Sequence, residues 1–254
     1  MLLVPAAVKS IRLPKKLCEK SRNLNMYELY IANKNYSSWS LRPWVLMRQL
    51  DISFHERLMV FAPGSNWAAF RKFSPSGRVP CLVDGNTSVW DSLAIAEYLA
   101  ERHSGVWPSD SAARAWARCA SAEMHSGFSA LRDHCSMSCG VRIQLREMSM
   151  ALQADVSRIG ELWSEGLQRF GGPFLAGKSF TAVDAFFAPV AFRVQTYSLK
   201  LSVAAASYAQ RLLALDAMRA WESAAVLETW RDPGHEQDVL RYGTVTEDRR
   251  AKNA

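Results

Sequence analysis

The periodicity of this chain changes once, near residue 104, and that change limits what it can fold into. Before it, short strand-like runs alternate with helical ones. After it, only helical spacing is readable. Tyr27–Ile31 alternates and predicts a first strand. A helix follows through Val45, Leu46, Gln49 and Leu50, with Pro43 tolerated in its first turn. Phe54 to Val60 predicts a second strand, and Trp67 to Phe73 a short helix stopped by Ser74-Pro75-Ser76-Gly77. Arg78 to Val83 predicts a strand entered through Pro80, which cannot donate to a ladder and is a candidate for a cis bond. Asp84-Gly85-Asn86 predicts a hairpin turn and Thr87 to Trp90 the returning strand. A helix then buries Leu93, Ile95, Tyr98 and Leu99, with Ser92 as its expected N-cap. Residues 26–103 thus read β-α-β-α-β-β-α, a compact α/β domain.

Residues 104–111 carry Gly105 and Pro108 and read as a linker. Residues 112–235 read as an all-helical domain. Helices are expected over Ala112–Leu131, over Val141–Phe170 ended by Gly171-Gly172-Pro173, and over Ser207–Leu213 and Ala217–Glu228. Thr181-Ala182-Val183-Asp184 has the form of a capping box with Asp in the usual Glu position, and is expected to serve folding. It opens an apolar helix through Phe186, Phe187, Val190 and Phe192, bent at Pro189. Residues 236–254 are expected to form a frayed C-terminal tail.

The formal charge of +7 raises the question of a nucleic-acid partner. Lys9, Arg12, Lys15, Lys16, Lys20 and Arg22 against Glu19 place +5 of it in residues 1–25. The remainder is nearly neutral, which argues against a broad phosphate-binding face. Residues 1–25 read as a disordered basic extension, either an organellar presequence or the product of an upstream start codon, since Met26 directly precedes the first strand. No apolar run is long enough to predict a membrane span. Five cysteines without regular spacing fit a reducing cytoplasm better than a disulfide framework. Cys135 and Cys139 would share a face if their segment were helical, and filler is the expected role for both.

The chemistry centres on Asn35-Tyr36-Ser37-Ser38-Trp39-Ser40-Leu41-Arg42-Pro43-Trp44. It sets several hydroxyls at a helix start, where unpaired N–H groups and a partial positive charge can hold an anion such as a thiolate. The plainer alternative is that Ser37, Ser38 and Ser40 simply cap the helix.

Four features stand in one order: this serine-rich turn after strand one, Val79-Pro80, Asp91-Ser92 at a helix start, and the Thr181–Asp184 box within a helical second half. Together they resemble the cytosolic glutathione transferases over residues 26 to about 235. Tyr36–Ser40 is most similar to the Ser-Ser-Cys/Ala-Ser stretch of the zeta class, which includes maleylacetoacetate isomerase. Trp39 and Pro43-Trp44 depart from that class and point to a serine-type transferase of bacterial kind.

The resemblance implies a thioredoxin-like domain followed by an all-α domain, with glutathione as co-substrate and a homodimeric state. Ser37 would donate to the thiol, with Ser38 or Ser40 as substitutes. The backbone of Val79, held by a cis Pro80, would pair with the cysteinyl part. Asp91 and Ser92 would hold the γ-glutamyl end, and Arg78 or Lys72 the glycyl carboxylate. His125, Phe128 and Arg132 would border the pocket for a small electrophile, or merely pack. Cys81 is expected to be buried and inert. A glutathione-dependent isomerase and a binding or stress protein with little turnover are the alternatives.

Overall fold

The computed structural model describes residues 26–62 and 64–251. The basic extension read over residues 1–25 lies outside the described residues. The first half runs β1 (Tyr27–Ile31), α1 (Ser38–Gln49), β2 (Phe54–Leu58), α2 (Trp67–Phe70), β3 (Cys81–Asp84), β4 (Thr87–Val89) and α3 (Ser92–Ala100). The four strands form one sheet in the order β2-β1-β3-β4. β1 and β2 are parallel, joined by the α1 crossover, whereas β3 runs antiparallel to both β1 and β4. Leu29 and Ile31 of β1 are fully buried, as are Leu41 and Val45 of α1 and Ile95 and Leu99 of α3. Removing these side chains from water, at ~25 cal/mol per Å² of apolar surface, is what seats both helices on the sheet. This is the thioredoxin-like arrangement that the resemblance implied.

The second half runs α4 (Ser111–Ser126), α5 (Ser129–His134), β5 (Val141–Leu145), α6 (Met150–Phe170), α7 (Ala182–Tyr197), α8 (Val203–Leu213), α9 (Asp216–Leu227), α10 (Pro233–Arg241) and β6 (Gly243–Asp248). α7 is buried nearly all round, through Phe186, Phe187, Val190 and Phe192, and packs against α1, α4 and α8. It is started by the Thr181–Asp184 capping box. The Asp184 carboxylate accepts from Thr181 N (2.9 Å), Leu175 N (3.0 Å) and Tyr208 Oη (2.8 Å), so one buried acid joins a loop and two helices. α7 also packs on α1, which ties the helical half to the serine-rich turn.

The structure departs from the sequence reading in several places. The helix expected from Val141 begins only at Met150, where the Ser149 hydroxyl accepts from Leu152 N at 3.2 Å. Val141–Leu145 is instead a strand with Val141 and Ile143 buried, a period-two pattern hidden by the helical signal beyond it. Residues 236–251 do not form a frayed tail, and the last three lie outside the described residues. Residues 233–241 are helix α10, and β6 pairs antiparallel with β5. Its Thr244, Val245 and Thr246 suit a strand. The charged run that suggested fraying is used in contacts: Arg250 pairs with Asp248 and Glu236. The helix expected over Ala112–Leu131 is broken by Phe128, whose φ of 59° lies in the left-handed region. Cys135 and Cys139 fall between α5 and β5, not on one helix, and both are free and buried. Burial pushes the Cys135 thiol up to about 12 and raises that of Cys139 as well.

Candidate functional site

The site forms where the turn after β1 enters α1. Asn33 O accepts from Tyr36 N (3.2 Å) and Ser37 N (2.9 Å), which fixes the turn. Glu228 reaches across from beyond α9 and accepts from Lys34 N (2.7 Å) and Asn35 N (3.2 Å). Ser37 is the N-cap residue of α1, yet no side chain caps the helix. Its hydroxyl instead donates to Ser40 Oγ at 2.7 Å, and Ser40 Oγ accepts from Ala32 N at 3.2 Å. The plain capping alternative therefore does not describe these serines. Ser40 is fully buried, whereas Ser37 and Ser38 line a cavity of about 500 Å³. The N-terminus of α1, with its partial positive charge, opens onto that cavity.

A second cavity of about 420 Å³ adjoins it, and Trp39, Arg78 and Val79 line both. Pro80, Asp91, Ser92 and His125 line the second one. The Val79–Pro80 peptide is cis, as the resemblance implied. Asp91, not Ser92, is the N-cap of α3: its Oδ1 accepts from Leu93 N at 2.9 Å. Its Oδ2 lies 3.2 Å from His125 Nε2. Burial holds His125 below the ordinary imidazole value. Ser92 is buried at the first position of α3, with its hydroxyl 3.5 Å from an Arg42 guanidinium nitrogen.

The structure thus gathers Ser37, Ser38, Arg78, Val79, Pro80, Asp91 and Ser92 around two connected cavities. Lys72 is exposed and lines neither. Of the three helical-half candidates, Arg132 lines the larger cavity, His125 the smaller, and Phe128 packs in the core. Cys81 is buried, with its thiol pushed up to about 11 by that burial.

Trp39 acquires a definite role in the geometry. The Arg42 guanidinium lies 4.2 Å from its ring centroid and that of Arg132 4.8 Å, and His125 meets it edge-on at 5.2 Å. Arg42 also lies 4.8 Å from the Phe186 ring. Burial, reinforced by Arg132 and Arg193, holds Arg42 well below the ordinary guanidinium value. Aromatic faces partly offset the cost of sinking a cation.

Sequence reasoning missed Phe61, His235, Asp238 and Arg193, all on the wall of the larger cavity. The His235 ring stacks between Tyr36 (5.0 Å) and Phe61 (4.9 Å). Its Nδ1 lies 2.6 Å from Asp232 Oδ2, and Tyr36 Oη donates to Glu236 at 2.5 Å. α10 therefore covers one side of the cavity. The signal for it was present: Asp232-Pro233 is an N-cap followed by proline at the first helical position. Arg193 gave no such signal, because its place depends on which face of α7 meets the cavity.

Among the described residues, no group of three or more His, Cys, Asp or Glu is placed to hold a metal ion. No helix among them is long and apolar enough to cross a membrane.

Residues 36–102 match the glutathione S-transferase N-terminal domain. The matched span covers the serine turn, Val79-Pro80 and Asp91-Ser92. The dichloromethane dehalogenase of Methylorubrum extorquens is 39% identical over 61 residues, which are 23% of this chain and 21% of that protein. The chain thus matches about a fifth of the length of that curated relative. A glutathione transferase homologue from Burkholderia GL BGR1, with bound glutathione, superposes with a TM-score of 0.60. It is 20% identical, over 79% of this chain and 98% of that one. A glutathione S-transferase from Rhodospirillum rubrum F11 superposes with a TM-score of 0.61 at 19% identity, over 85% of this chain and 100% of that one. The two structures share this fold, and residues 36–102 carry the glutathione S-transferase N-terminal domain match.

Proposed function

We propose that this protein is a serine-type glutathione transferase, which activates the glutathione thiol for attack on a small electrophile. The observation that carries this reading is the uncapped N-terminus of α1, open to a cavity lined by the Ser37 and Ser38 hydroxyls. A free thiol has a pKa of ~8.5, so holding it as thiolate at neutral pH needs a depression of about 2 units, or ~2.7 kcal/mol. One hydroxyl bond to a charged group (~1.5–3 kcal/mol) and a helix N-terminus (~0.3–1 kcal/mol) supply that order of energy. Ser37 is the proposed donor, with Ser38 beside it as the substitute. The cysteinyl part would pair with the Val79 backbone. The γ-glutamyl carboxylate would meet Ser92, with its ammonium at the exposed Asp91. Arg78, at the junction of the cavities, suits the glycyl carboxylate.

The thiolate then attacks an electrophilic carbon. The new C–S bond forms as the leaving group departs with its electron pair, and the thiol proton passes to solvent. The short match to a dehalogenase supports displacement of halide as the reaction type. Zeta-class membership, and with it isomerisation, rests on Tyr36–Ser40 alone. A homodimeric state belongs to the same reading and is checked by light scattering. The free Cys81, Cys119, Cys135 and Cys139 support a reducing compartment.

Calorimetric titration with glutathione, followed by the ultraviolet thiolate signal of the complex, tests the reading. Binding with a thiolate band at pH 7, and conjugation of a neutral aryl halide, are expected. Binding without a thiolate signal or turnover would instead favour a binding protein, and no binding would overturn the reading.

A further inference from the structure

The larger cavity carries more positive charge than glutathione accounts for. Arg132 on α5 and Arg193 on α7 both line it, and Arg42 of α1 lies behind Trp39. Among the described residues none of the three forms an ion pair with a carboxylate. Their hydrogen bonds go to neutral oxygens. Arg193 Nε donates to Cys135 O at 2.8 Å and Nη1 reaches Pro189 O at 3.4 Å. Arg132 Nε donates to Gly127 O at 3.0 Å, and its Nη2 to Met124 O. One terminal nitrogen on each, Arg132 Nη1 and Arg193 Nη2, has no hydrogen-bond partner among the described residues. Arg42 is 1% exposed, and its Nε is buried without a partner.

Such a cluster is costly in a protein interior. Buried cations are ordinarily paired, and an unpaired one loses hydration that neutral carbonyls only partly replace. Burial lowers all three guanidiniums from their ordinary value, that of Arg193 to about 10; repulsion from Arg132 adds to the effect at Arg42 and Arg193, and Asp155 opposes it at Arg132. The acids nearby offset only part of this charge. Asp155 acts on Arg132 and Asp91 on Arg42 only from beyond ion-pair contact; Asp155 accepts from Leu131 N at 2.9 Å, Asp91 caps α3, and Asp238, also on the cavity wall, lies 3.9 Å from Arg241. Glutathione does not supply the missing anion under the reading above, because its carboxylates are assigned to Ser92 and Arg78.

We propose that the second substrate is a small organic carboxylate, held in the larger cavity by Arg132 and Arg193. A planar guanidinium presents paired donors that match a carboxylate edge, so two of them fix both its position and its orientation. Arg42 and Trp39 form the backing of this subsite, Arg42 adding field from behind the ring.

This inference rests on the glutathione reading, and its test separates the two. S-(4-carboxybenzyl)glutathione and S-benzylglutathione differ only in the carboxylate, and neither requires turnover. Calorimetry on the full chain is expected to give at least tenfold tighter binding of the carboxylated conjugate at low salt. In Arg193→Met and in Arg132→Gln that ratio falls toward one. The ratio is internal to each variant, so S-benzylglutathione reports whether the variant is folded. Equal affinities in the unmodified protein, or a ratio unmoved in a folded variant, overturn the carboxylate subsite and leave the glutathione reading standing. Failure to bind either conjugate overturns both.

Discussion

Replacing Ser37 by alanine separates thiol activation from mere packing. In the structure its hydroxyl donates to Ser40 Oγ at 2.7 Å. To serve a thiolate it turns from Ser40 to sulfur. It gives up a neutral bond of ~0.5–1.5 kcal/mol for a charge-assisted one of ~1.5–3 kcal/mol. About 1–1.5 kcal/mol is left to stabilise the ionised form, equivalent to roughly one pKa unit. The helix N-terminus, at ~0.3–1 kcal/mol, survives the substitution. The bound thiol of Ser37→Ala therefore ionises about one unit higher than that of the parent. A depressed acid is ionised above its pKa, so the deficit appears on the acid side. Well below both pKa values kcat/KM falls about tenfold, and the two profiles converge above pH ~9, where the thiol is ionised in both. Affinity for the neutral thiol near pH 6 changes much less. The assay is kcat/KM for conjugation of a neutral aryl halide between pH 5.5 and 9.5. An unmoved acid limb, or a loss equal at every pH, would refute the reasoning.

Three further outcomes follow from the geometry. Ser92→Ala removes a donor to the γ-glutamyl carboxylate and is expected to weaken glutathione about tenfold by calorimetry, with kcat little changed; an unchanged Kd would remove Ser92 from the site. Glu228→Ala leaves the buried Lys34 and Asn35 N–H groups unpaired, at about 2–4 kcal/mol in denaturant unfolding. A cost under half a kilocalorie would show that the turn before α1 is not held from beyond α9. Asp184→Ala orphans four buried donors, at ~3 kcal/mol or more. Burial raises the Asp184 carboxyl from an ordinary 3.8 to about 6. Its protonated form is therefore favoured by folding, and parental stability falls by about 3 kcal/mol as pH rises from 4 through 6. Unfolding at pH 4 and 7 is expected to show that slope in the parent and its absence in the variant.

Much of this architecture was legible in the residues, for identifiable reasons. β1, α1 and α3 carry strong periodicity, and their boundaries are marked by turn and cap residues that act locally. Val79-Pro80 and Asp91-Ser92 were readable because each is a backbone device with a fixed side-chain requirement. The β5–β6 pairing was not, since it joins segments about a hundred residues apart and each strand alone is only five or six residues long. α10 was missed although Asp232-Pro233 announces it, because the charged residues beyond it resemble a solvated tail. Arg132 is a sequence candidate for the pocket wall, whereas nothing in the residues marks Arg42 or Arg193 as its neighbours there. Only the packing of α1, α5 and α7 shows that Arg42 and Arg193 are buried and converge with the half-buried Arg132 near one cavity. The anionic character of the proposed substrate comes from that convergence.

The most direct test of the central claim is a crystal structure of the protein with glutathione. The account predicts the sulfur in the larger cavity at the N-terminus of α1, within about 3.2 Å of the Ser37 or Ser38 hydroxyl, with the γ-glutamyl carboxylate on Ser92. Glutathione bound elsewhere, or bound here with its sulfur turned away from both hydroxyls, would contradict it.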